Sequence, residues 1–93
     1  MTEIEHEELI KAAQNGDADA FERLMNLYYA ILFKMAFKYC GNKDMAEDIT
    51  QEACIKLARN INSFRFKSKF TSWLYTLVLN TARDYIKSDS RHP

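Results

Sequence analysis

Apolar residues recur along this chain at three- and four-residue intervals, broken at a few turn-forming positions. That spacing puts them on one face of an α-helix, and the pattern predicts four helices in succession. In the first, about residues 4–15, Ile4, Leu9, Ile10 and Ala13 share a face. Glu5, Glu7 and Glu8 stand near its start, where carboxylates complement the helix dipole, and Gly16 is expected to close it. His6, alone among acids, is expected on the solvated surface. Asp17 has the chemistry of an N-cap and opens a long second helix, about 18–40. Phe21, Leu24, Met25, Tyr28, Leu32, Met35 and Tyr39 form its core stripe, while Leu27, Tyr29, Ile31, Phe33 and Phe37 lie off it. A helix apolar nearly all round is buried on more than one side. Either it is the central helix, or one flank waits for a partner.

Gly41 and Asn42 break the pattern. Asp44, with Glu47 three residues on, resembles a capping box and starts a third helix, about 45–60. Ala46, Ile49, Ala53, Leu57 and Ile61 form its apolar stripe, with Cys54 beside it. Asp48, Gln51, Glu52, Ile55, Lys56 and Arg59 occupy the opposite face. Ile55 is there either as an ordinary exposed apolar residue or as the centre of a protein-docking patch with a charged rim. The loop Asn62 to Lys69 leads to a last helix, about 69–88, for which Ser68 is the expected N-cap. Phe70, Leu74, Leu77, Val78, Thr81 and Tyr85 point inward. Ser72, Thr76, Asn80, Arg83 and Lys87 line another face, which is either a solvated surface or a contact surface for bases and phosphates. Arg91, His92 and Pro93 form a polar break of the kind seen in linkers.

Composition narrows the class. Ninety-three residues make one domain, and 47% hydrophobic content with two Gly and one Pro favours a compact all-α bundle. No run approaches the roughly 20 apolar residues of a membrane span, and the acidic start is unlike a signal peptide. A cytoplasmic protein is expected. Cys40 and Cys54 lack a CxxC pattern and a nearby His, so they are read as buried thiols in a reducing compartment rather than as zinc ligands. No nucleotide-binding, zinc-protease or Ser/His/Asp motif is present. The chain is expected to be no enzyme and to need no metal or cofactor.

Charge changes the picture more. The net is zero, yet residues 1–62 hold seven Lys/Arg against eleven Asp/Glu, a net of −4, and residues 63–93 hold six against two, a net of +4. Such polarity suggests two partners, one of them polyanionic. Five of the twelve aromatics fall between positions 64 and 75, and Phe64, Phe66 and Phe70 alternate with Arg65, Lys67 and Lys69. Trp73 and Tyr75 follow. Aromatic faces among cations are the ingredients of a single-stranded nucleic-acid surface. The same rings would equally serve a small core.

The run D-I-T-Q-E-A-C-I-K-L-A-R-N-I-N-S-F-R (48–65), followed by F-T-S-W-L-Y-T-L-V-L-N-T-A-R-D-Y (70–85), resembles the second conserved region of extracytoplasmic-function sigma factors of bacterial RNA polymerase. G-D-A-D-A-F-E-R-L (16–24) resembles that family's opening. The resemblance covers nearly the whole chain. It implies a region 2 helical bundle that docks on the polymerase β′ clamp helices through Asp48, Gln51, Glu52, Ile55 and Arg59. It also implies opening of the promoter minus-ten element and capture of a base flipped from the non-template strand. The residues expected to meet DNA are Phe64, Arg65, Lys67, Lys69, Tyr75, Thr76, Asn80, Arg83 and Lys87. An anti-sigma factor is a further implied partner, suited to the apolar flank of the long helix. Family members carry a helix-turn-helix domain that reads the minus-thirty-five element, and this chain is expected to be the first domain without it. The competing expectation is a helical protein-interaction module with no nucleic-acid role.

Overall fold

Helix caps set the architecture. The computed structural model describes residues 1–89, the side chain of Asp89 excepted; the polar break at Arg91 to Pro93 lies outside the described residues. Helix α1 runs Glu3–Gln14 and begins with Thr2, whose hydroxyl accepts from the Glu5 N–H at 3.1 Å. Gly16, with φ of 92°, turns the chain in a conformation that costs glycine little. Helix α2, Ala18–Cys40, starts where the Asp17 carboxylate accepts from the Ala20 N–H, as expected. It ends at Gly41, which is left-handed (φ 68°) and returns its N–H to the Phe37 carbonyl.

Helix α3, Lys43–Asn60, corrects one expectation. Its N-cap is Asn42, whose side-chain oxygen accepts from the Met45 N–H at 2.9 Å. Asp44 lies inside the first turn instead. A single 3-10 turn, Ile61–Ser63, follows, and helix α4 runs Phe70–Asp89. Ser68 does not cap α4. Its hydroxyl points at the Lys69 carbonyl, and that carbonyl accepts from the Ser72 and Trp73 N–H groups that open the helix.

Helix α2 packs against α1, α3 and α4, and so is central. Leu24, Leu32, Ile49, Leu57 and Leu74 are fully buried. Ala36, Ala46, Ala53 and Ala82 are also fully buried, and small side chains let helix axes approach. Buried Thr50 and Thr81 donate to the Ala46 and Leu77 carbonyls, so neither hydroxyl is left unpaired. Two core expectations fail. Ile4 is 70% exposed, and Tyr39 lies 44% exposed at the end of the α2 stripe. Leu27, Tyr29, Ile31 and Phe37 are exposed as well. Helix α2 is therefore the central helix, and apolar side chains on both sides of its core stripe are exposed.

Cys40 and Cys54 are half-buried rather than buried, and both are free thiols. Burial pushes the Cys54 thiol above its ordinary pKa. Among the described residues, no helix is long and apolar enough to cross a membrane.

Helices α3 and α4 are tied by two polar contacts as well as by packing. The Tyr85 hydroxyl donates to Asp48 Oδ2 at 2.7 Å, and Lys56 Nζ meets Asp84 Oδ2 at 3.3 Å.

Candidate nucleic-acid interface

The aromatic loop is organised by burial first. Phe64 is 4% exposed, and its ring lies 4.8 Å from that of Phe66, 5.1 Å from Phe70 and 5.5 Å from Trp73. Phe70 in turn stacks on Trp73 and meets Tyr28 edge-on. The expectation that Phe64 offers a free face to a base is corrected: its ring is core, because a loop this close to the helix ends buries apolar area there. His6 is corrected too. It is half-buried, hydrogen-bonds through Nε2 with the Tyr28 hydroxyl, and packs on Tyr28 and Phe70. Burial also raises the Tyr28 pKa.

Arg65, Lys67 and Lys69 are exposed, while Phe66 among them is half-buried and Phe64 and Phe70 on either side are buried. The reversal is made at Phe66, whose φ of 61° is left-handed, a region bulky residues avoid. Phe64, Phe66 and Lys69 border a cleft of about 470 Å³ whose far wall is His6, Glu7 and Tyr28.

Helix α4 carries the second half of the surface. Tyr75, Thr76, Asn80, Arg83 and Lys87 are all exposed. Asn80 stands between two hollows. One, of about 490 Å³, is shared with Lys56, Arg59, Trp73 and Thr76; the other, of about 640 Å³, with Tyr39, Arg83 and Lys87. Trp73 therefore links the loop's aromatic cluster to the Asn80 face. The Thr76 hydroxyl donates to the Ser72 carbonyl and keeps its own lone pairs for a ligand. Among the described residues, Asp84 is the one carboxylate lining the Asn80 hollows, and Lys56 stands against it.

Asp48, Gln51, Glu52, Ile55 and Arg59 form one exposed stripe on α3, with Ile55 46% exposed at its middle. Its two ends differ. Asp48 is held by Tyr85 of α4. Arg59 opens into the hollow of Thr76 and Asn80, so it stands at the seam between the two surfaces. Sequence reasoning missed Lys56 at that seam. It also missed Gln14, whose amide donates to the Ile61 and Phe64 carbonyls. The partners of Gln14 lie 47 and 50 residues away, so no local pattern announces them.

Residues 21–92 match the family described as Sigma-70 region 2. The chain belongs to the sigma-70 region 2 family. The match spans α2, α3 and α4 and leaves α1 outside. Among curated relatives, the ECF RNA polymerase sigma factor SigW of Bacillus subtilis is 38% identical over 78 residues, 84% of this chain and 42% of that protein. The ECF RNA polymerase sigma-E factor of Haemophilus influenzae is 36% identical over 85 residues, 91% of this chain and 44% of its own. RNA polymerase sigma-H factor of Pseudomonas aeruginosa is 31% identical across the whole chain, which covers 48% of it. The chain thus spans less than half the length of these relatives. Among solved structures, an engineered region 2 of sigmaE in complex with GTAAAA superposes with a TM-score of 0.80 at 35% identity. That alignment covers 89% of this chain and 86% of the other. The region 2 bundle is therefore the fold as well as the family.

Proposed function

We propose that this chain is a promoter-recognition and polymerase-docking domain that helps to open the minus-ten element by capturing a flipped non-template base. The observation that carries the reading is the exposed α4 face. Asn80 stands between two hollows, with Thr76 on one side and Arg83 and Lys87 on the other. A hydroxyl, an amide and two cations in that order suit base edges flanked by phosphates. The GTAAAA bound by the engineered relative agrees with it. With Phe64 in the core, the rings of the loop and α4 left for stacking are half-buried Phe66 and Trp73 and exposed Tyr75.

Flipping a base costs a few kcal/mol, and stacking on an aromatic returns about 1–3 kcal/mol. One module barely melts a duplex, so docking through the α3 stripe on the β′ clamp helices is part of the reaction. An anti-sigma partner suits the apolar flank of α2, where Leu27, Ile31 and Phe37 are exposed. The work is expected inside the cell, where polymerase and promoter are.

The test is fluorescence anisotropy with single-stranded GTAAAA against a scrambled oligonucleotide of equal length. Wild type should prefer GTAAAA, and Asn80→Ala should lose the preference while keeping weak, salt-sensitive binding. An Asn80→Ala protein that keeps its preference sinks the base-capture assignment. Separately, Asp48→Ala with Gln51→Ala should abolish pull-down by β′ clamp helices. A wild type that ignores both ligands points instead to a plain protein-interaction module.

A further inference from the structure

We propose that α1 is a clamp that presets the loop at residues 61–69, and that Gln14 is the positioning residue on which base discrimination depends. The inference rests on the promoter-reading function above. The motivating feature is the left-handed backbone at Phe66. A bulky residue stays in that region only when its surroundings hold it there. Here α1 does the holding at two points. The Gln14 side-chain amide donates to the Ile61 carbonyl at 2.8 Å and to the Phe64 carbonyl at 3.0 Å, bracketing the 3-10 turn. The Lys11 ammonium lies 5.4 Å from the centre of the Phe66 ring, which also meets the Phe64 ring at 4.8 Å.

Both Gln14 partners are acceptors, so the amide must face them with its NH2 group. A methionine of the same length has no donor. A glutamate would set a third acceptor against two carbonyls. A lysine restores donors.

What the clamp governs follows from what the loop presents. Arg65, Lys67 and Lys69 are exposed beside the inward rings. Attraction of phosphates to these cations needs little geometry. Discrimination among bases needs the loop in one shape before the ligand arrives, since ordering it afterwards subtracts from binding. Gln14 therefore acts on preference and not on general affinity.

The experiment uses the full chain and the same two oligonucleotides, with the ratio of their Kd values as the readout. Gln14→Met and Gln14→Glu should each lower the ratio about tenfold, as the loss of two neutral hydrogen bonds implies. The salt dependence of binding should stay as in wild type. Gln14→Lys should recover the ratio, because its added charge acts on both oligonucleotides alike. A merely structural Gln14 would lower thermal stability and weaken both oligonucleotides in parallel, leaving the ratio intact. That result overturns the clamp while the promoter reading stands. A wild type with no preference overturns both. Amide exchange of the unbound wild type supplies a test that needs no variant. The Ile61 and Phe64 amides, which donate to the Leu57 and Ile61 carbonyls, should be protected before DNA is added, and their protection only on binding contradicts the inference.

Discussion

Single side chains show how a local pattern and a packed structure can disagree. Phe64 was expected to meet DNA and His6 to face solvent, and both belong to one cluster of rings around Phe70 and Tyr28. Periodicity cannot see this, because the ring contacts join α1, α2, the loop and α4. The outward facing of Thr76, Asn80, Arg83 and Lys87 was legible from spacing. Cys54 allows a chemical check. Burial raises its pKa, so at neutral pH less of it is thiolate than in an unfolded chain. Thiolate is the reacting form. Iodoacetamide should therefore label Cys54 more slowly in the folded protein than in urea, with the rate rising as pH rises. Peptide mass spectrometry reads this directly, and equal rates would contradict the burial.

At the level of elements, existence and order were readable, and starts were not always. Asp44 to Glu47 has the spacing of a capping box, yet the cap is Asn42, whose side-chain oxygen accepts from the Met45 N–H, and Asp44 falls inside the first turn. Asn42→Ala is expected to cost about 1 kcal/mol, a fall of about 4–8 °C in Tm for a domain of this size. Asp44→Ala should cost about 0.5 kcal/mol, since it removes only a charge near the positive helix end. Thermal melts of the two variants decide which residue is the cap. The start of α4 was misread for a different reason. The backbone reversal at Phe66 delivers Lys69, not Ser68, to the capping position, and a positive φ on a phenylalanine leaves no trace in a pattern of apolar residues. Helix α1 was legible as a helix and illegible as a support, since the two bonds of Gln14 reach across most of the chain.

For the molecule as a whole, a net charge of zero conceals an acidic part and a basic part. Single-stranded binding should weaken with salt by a slope of about 0.7 for each phosphate neutralised. Arg83→Ala is then expected to reduce the slope of log K against log salt by about 0.7 while leaving base preference unchanged. A titration from low to moderate salt measures it. The pairing of α3 with α4 has a mechanical meaning of its own. Direct packing, the Tyr85 to Asp48 bond and the Lys56 to Asp84 contact join the two helices side by side. The peptide strand that connects them is thus redundant for their cohesion, though not for the shape it takes. A single tryptic nick after exposed Arg65 or Lys67 should leave both fragments eluting together from gel filtration, parting only in denaturant. The nicked protein should hold polymerase as before and no longer tell one oligonucleotide from another.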